Sequence, residues 1–194
     1  MLEKLKNHSD NNAFLALRPA DADETTIAWK MAFENQNSPS GLILTRQGIK
    51  SLPAQPGSTR FKDAKEAEKG AYIVQGGKDK PDVILVANGS EVATLIEGAA
   101  ILESKHKLNV RVVSVPSEGV FRNQSAGYQK SVLTPGIPKF GLTAGLPVNL
   151  EGLVGTDGKV FGLTHFGYSA PYTVLDEKFG FTAENVVKQV LEIL

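Results

Sequence analysis

Val83-Ile84-Leu85-Val86-Ala87 is an unbroken apolar run between Asp82 and the turn Asn88-Gly89. A strand with no polar position has no face to offer water, so it must be covered on both sides. That is the setting of a parallel sheet wrapped by helices. The flanking pattern agrees. Asn88-Gly89-Ser90-Glu91 opens a helix running to about Lys107, with Val92, Leu95, Ile96, Ala99 and Leu102 at helical spacing. Strands at 110–115 and 139–143 follow, with a helix around 123–131 between them. Alternation of this kind predicts a three-layer αβα domain with a mostly parallel sheet. The turn Thr156-Asp157-Gly158-Lys159 is of hairpin type and is expected to add one antiparallel edge strand within residues 153–163.

Upstream, Ala13-Phe14-Leu15-Ala16-Leu17 is a buried strand that stops at Arg18-Pro19, where proline removes a ladder donor. Asp21-Ala22-Asp23-Glu24 supplies an acidic cap and first turn for a helix carrying Ile27, Ala28, Met31, Ala32 and Phe33. After Ser38-Pro39-Ser40-Gly41 comes a second strand, Leu42-Ile43-Leu44, ending in Thr45-Arg46-Gln47. These segments form a partial βαβ unit. Residues 50–69 lapse into Pro, Gly, Ser and charge and read as a linker with a short helix over 63–69. A short strand at 71–74 then begins the second domain. Near the C-terminus a loop leads to a helix over 172–178, a glycine stop at Gly180 and a Thr182-capped helix over 183–194.

Charge and composition remove several function classes. Lys+Arg and Asp+Glu are both 21, so the formal net charge is +0 and no basic field points to nucleic acid or an anionic membrane. With Cys at 0, thiol catalysis, thiolate metal sites and disulfide scaffolds are excluded. Residues 1–8 carry no signal-peptide core, so the chain is expected in the cytoplasm.

Arg46 is the strongest single site candidate. A guanidinium at the carboxyl end of a buried strand can grip a phosphate with two parallel hydrogen bonds, or pair with a carboxylate at a domain boundary, and pattern alone leaves both open. Arg18 stands beside the acids Asp21, Asp23 and Glu24 and reads as one half of a structural ion pair. The Asn88–Glu91 turn offers backbone amides at a helix start, a possible phosphate-binding switch point, but without a full glycine-rich motif it reads first as a glycine-permitted corner with a Ser90 cap. His8, His106 and His165 have no metal-ligand spacing. His106 ends a helix beside Lys105 and Lys107, where cations favour the dipole. Ser169 has no nucleophile-elbow context and no partnered histidine, so no hydrolase triad is expected. The sequence predicts neither catalytic nor metal-binding residues on this chain.

Three segments, in order and at matching spacing, carry a family resemblance. Leu17-Arg18-Pro19-Ala20-Asp21-Ala22-Asp23-Glu24-Thr25 with Trp29, Leu42-Ile43-Leu44-Thr45-Arg46-Gln47, and the stretches 84–92, 131–133 and 166–182 resemble transketolases. The resemblance implies a division into residues 1–49, the end of the pyrimidine-binding domain; 50–69, a linker; and 70–194, the C-terminal domain. It implies a two-carbon ketol transfer between sugar phosphates using thiamine diphosphate and a divalent metal, Mg or Ca, with Arg46 binding the sugar phosphate. The family's cofactor ligands, activating glutamate and channel histidines fall outside the matched stretches. The chain is therefore expected to bind no cofactor and to be inactive alone, with N-terminal transketolase domains or a subunit as its partner and a homodimer as its assembly. Two departures concern the C-terminal domain surface. Residues 144–150 stand where many members have a tryptophan-containing segment, and His165 replaces a commonly basic arginine. The alternative is a stand-alone dimerisation or regulatory module, or the C-terminal subunit of a split transketolase.

Overall fold

The computed structural model describes residues 13–76 and 80–194. His8 and the reading of the N-terminal stretch lie outside them. Two sheets organise the chain. The first pairs β1 (Leu15–Leu17) with β2 (Ser40–Leu42) in parallel, Leu15 opposite Ser40, and α1 (Ala22–Glu34) forms the crossover. Asp21 caps α1 by accepting from the Glu24 amide at 2.9 Å. Strand β2 lies two residues earlier than the sequence predicts. Its register follows β1, which turns away at Pro19, so the amide of Ile43 still reaches the Leu17 carbonyl and Leu44 has no strand to pair with.

The second sheet has five strands: β3 (Tyr72–Gln75), β4 (Val83–Ala87), β5 (Val110–Ser114), β6 (Lys139–Thr143) and β7 (Lys159–Gly162), in the order β3-β5-β4-β6-β7. Leu85 faces Val112 on one side and Phe140 on the other, so the apolar run is the central strand. Its side chains alternate between two cores. Val83, Leu85 and Ala87 pack with Leu95 and Leu102 of α2 (Glu91–His106) and with Val186 and Val190 of α3 (Ala183–Leu191). Ile84 and Val86 pack with Phe121 of α4 (Glu118–Arg122), Val132 of α5 (Ala126–Val132) and Leu150 and Val154 of α6 (Val148–Val154). These two helical layers enclose the sheet, as a fully apolar central strand requires.

One expectation is corrected. The antiparallel edge strand is β3, which pairs with β5, whereas β7 after the Thr156–Lys159 turn runs parallel to β6 with Gly141 opposite Val160. The turn does not join two strands. Helix α6 intervenes, so the chain crosses over and returns in the same direction. Helix α6 itself is hidden in the sequence because it spans only 7 residues and includes Gly152, where a Cβ would lie 2.0 Å from Nη2 of Arg122.

Residues 50–69 carry a short helix, Arg60–Ala64, and a 3-10 turn, Lys65–Lys69; Leu52, Ala64 and Ala67 lie in the same core as Ile27 and Val92. Arg60 reaches back to α1, its Nε 2.7 Å from Asp21 and its Nη2 3.2 Å from Glu24, both fully buried. The Tyr72 hydroxyl donates to Glu24 at 2.6 Å, the Leu52 amide to Asp21 at 2.9 Å and the Ala20 amide to Glu24 at 2.8 Å. Burial pushes the Asp21 carboxyl up, but Arg60 and the amides of Glu24 and Leu52 together hold it below its ordinary value. Burial dominates at Glu24 and raises it despite the Tyr72 and Ala20 donors. The two carboxylates therefore oppose each other in acid. Asp21 contributes stability that is lost as pH falls through its lowered folded value, and Glu24 gains as pH falls through its raised one.

Breaking this network leaves buried charge without compensation. Arg60→Ala is expected to cost about 3–5 kcal/mol and Tyr72→Phe about 1.5–3 kcal/mol, read as shifts in the urea unfolding midpoint. Unchanged midpoints would show that the network adds nothing.

Candidate functional site

The strands β1, β4, β5 and β6 all deliver their carboxyl ends to one region. Central β4 is also where the order reverses, β5 lying on one side and β6 on the other. Open parallel sheets form their ligand crevices at such a point. Here the crevice receives Arg18 from the first βαβ unit. Its amide donates to the Pro116 carbonyl at 2.8 Å, and its carbonyl accepts from the Gly89 amide at 3.1 Å. Its guanidinium pairs with Glu91, donates to Asn88 Oδ1, and reaches Thr143 Oγ1 at 3.3 Å.

The Asn88–Glu91 turn is therefore built around a cation. Gly89 has φ +66, and a Cβ there would sit 2.8 Å from Arg18 Nε, so the position needs glycine for both conformation and space. Ser90 takes a helical conformation and makes no cap; its hydroxyl donates to Glu91 at 2.7 Å instead. The expected Ser90 cap is thus corrected. Glu91 also accepts from the Ala144 amide at 3.2 Å, so an anion approaching this turn would meet a carboxylate. The expected partners of Arg18 are corrected as well. Asp21 and Glu24 are claimed by Arg60, and Arg18 pairs with Glu91 across the chain.

Arg46 stands apart from this crevice. It lies past the end of β2, is exposed, and has no ion pair or hydrogen bond among the described residues. Thr45 donates to Ser90 at 3.4 Å, which sets the Thr45-Arg46-Gln47 segment beside the start of α2. Thr45 and Gln47 line a groove with Tyr172, Asp176 and Phe179. His106 is exposed at the end of α2. His165 is exposed, donates from its ring to the Phe166 carbonyl at 2.8 Å, and packs against Tyr168 and Phe179 at ring separations of 6.5 and 5.2 Å. Ser169 is exposed. Among the described residues no three His, Asp or Glu side chains converge to hold a metal.

Ser117, Glu118, Thr143 and Asn149, which also line the crevice, escaped the sequence reading. Their common signal is position: Ser117 and Glu118 follow β5, Thr143 ends β6, and Asn149 lies on the helix that follows it.

Residues 70–182 match the family model described as "Transketolase-like TK C-terminal domain". A transketolase of Staphylococcus aureus (strain MW2) is 39% identical over 180 residues, covering 91% of this chain and 26% of the relative. The chain thus spans about a quarter of the length of the curated relatives it matches. Among solved structures, a transketolase from Leishmania mexicana superposes with a TM-score of 0.84 at 33% identity, covering 99% of this chain and 26% of that one. A structure described as "Split gene transketolase, inactive beta4 tetramer" superposes with a TM-score of 0.71, covering 99% of this chain and 61% of that one; at 23% identity this is a likeness of fold.

Arg18→Met leaves Glu91, whose side chain is 8% exposed, without its counter-charge and is expected to cost about 3–5 kcal/mol. The double variant Arg18→Met/Glu91→Gln should recover most of that loss in urea unfolding. A double variant no more stable than the single one would show that the pair is not coupled.

Proposed function

This chain belongs to the transketolase family through its C-terminal domain, and from that membership we propose that it supplies the end of the pyrimidine-binding domain and the C-terminal domain of a two-carbon ketol transferase acting on sugar phosphates. In the whole enzyme, thiamine diphosphate with a divalent metal provides the carbanion chemistry. Among the described residues no cluster of three His, Asp or Glu side chains is placed to hold that metal. The contribution of this chain is to bind and orient substrate.

The observation that carries this reading is the match to the family over both parts of the chain, together with an uncommitted guanidinium at Arg46. Exposed and without a described partner, Arg46 is available to hold the substrate phosphate. Its role is positional: it fixes the phosphorylated end so that the reacting carbon lies at the cofactor. N-terminal transketolase domains, or a subunit carrying them, are the proposed partners. Exposed apolar side chains support a partnered state: Trp29 and Phe33 stack at 5.5 Å on α1, and Phe166, Tyr168 and Tyr172 stand out near the C-terminus. A second copy of the chain is the further proposed partner.

Mixing the chain with a complementary N-terminal transketolase fragment is the test. The mixture should transfer ketol units, while the chain alone should show neither transfer nor calorimetric binding of thiamine diphosphate with magnesium. Tight stoichiometric binding by the chain alone would contradict the proposal, and a mixture that stays inactive while the two parts associate would favour a stand-alone module. In the active assembly, Arg46→Ala should raise KM for the phosphorylated donor about 10- to 100-fold, the loss of one or two charge-assisted hydrogen bonds, with kcat little changed.

A further inference from the structure

Beside the Arg18 contact, the carboxyl ends of β1, β4, β5 and β6 border a half-open cavity of about 300 Å³. That is room for roughly ten water-sized groups. Leu17, Ile43, Val115 and Pro116 form an apolar wall, and Asn88 and Ser117 stand among the polar lining.

Two features distinguish this cavity from a packing defect. Ser117 precedes α4 at the capping position and lines the cavity, where its hydroxyl makes no cap bond and has no partner among the described residues. Its backbone is fully engaged, the amide donating to Gly70 at 3.0 Å and the carbonyl accepting from Phe121 at 3.1 Å, so the free hydroxyl is fixed in place. A hydroxyl held at a cavity wall without a protein partner can donate to a guest acceptor at little ordering cost. Asn88 is oriented in the same way. Its Oδ1 accepts from Arg18 and from Thr143 at 3.3 Å, which leaves the amide NH2 as its unused end among the described residues.

The charges settle the ligand class. The charged side chains that line the cavity are already paired within the protein, Arg18 with Glu91 and Glu118 with Arg122, the latter at 2.6 Å. Among the described lining residues no free charge remains to compensate an ionic guest. We propose that this cavity binds a small uncharged molecule with an apolar ring and a carbonyl acceptor. The carbonyl meets the Asn88 amide and the Ser117 hydroxyl, and the ring lies on Leu17, Ile43, Val115 and Pro116. The proposal does not depend on the transferase reading, because neither Arg46 nor the cofactor enters it.

Benzamide is the probe and benzoate its charged counterpart, each titrated into the isotope-labelled full chain and followed by amide NMR. Benzamide should give saturable shifts at the Asn88 side-chain NH2 and the Ser117 and Thr143 amides, with a dissociation constant on the order of millimolar. Ser117→Ala should weaken it about fivefold, the worth of one net hydrogen bond. Ala144→Phe, at an exposed rim position, should block the cavity and abolish the shifts while the rest of the spectrum stays folded. Benzoate should bind at least about tenfold more weakly. Absence of saturable shifts at these groups, undiminished binding to folded Ala144→Phe, or benzoate binding as well as benzamide would each overturn the proposal.

Discussion

One guanidinium joins the two parts of this chain. Arg18 leaves the end of β1, neutralises Glu91 at the start of α2, and bonds Asn88 after β4 and Thr143 at the end of β6. A planar fork presents its donors from separate nitrogens at fixed angles, whereas the three donors of a lysine ammonium radiate from one rotatable point. The backbone on either side continues the contact, through Pro116 and Gly89. Arg60 fastens the same unit at a second point, on the acidic start of α1, and Tyr72 of the large sheet completes that cluster. With one buried and one partly buried charge cluster in place, the small β1–β2 sheet is held against the larger one by interactions that lose their value if either part separates.

Much of the architecture is legible because it follows from local pattern. An apolar run with turns at both ends could only be a strand covered on two faces, and β4 and β6 lie where the pattern sets them. The acidic cap before α1 is equally local, since Asp21 bonds an amide three residues on. What escaped the sequence depends on distance or on direction. The partner of Arg18 could not be read because nearby acids offered a plausible match, while Asn88 lies 70 residues away. The direction of β7 depends on α6, a helix too short and too glycine-interrupted to show a periodicity. The end of β2 depends on where β1 stops, which is a property of the pair.

The candidate site shows the same division. The family signature at 166–182 names a lineage without supplying chemistry, and the structure explains why: Phe179 packs at a tilt against Tyr168 and His165, His165 meets the Tyr168 ring edge-on, and Lys178 lies 4.2 Å over the Tyr168 ring. These are packing contacts. At the sheet's switch point the position an anion would take is filled by Arg18, and what remains beside it is a neutral, partly apolar cavity. Arg46, exposed and unpaired among the described residues, stands outside that arrangement. Arg46 and the sheet crevice are therefore separate features, and loss of one need not disturb the other.

The two charge clusters make the β1–β2 unit and the large sheet a single cooperative body. Native-state hydrogen exchange measures this directly. The amides of Leu17 and Ile43 should open with the same free energy and the same denaturant dependence as those of Leu85 and Val86 in β4. Exchange of the first pair through a distinct, lower-energy opening, while β4 stays protected, would contradict the account.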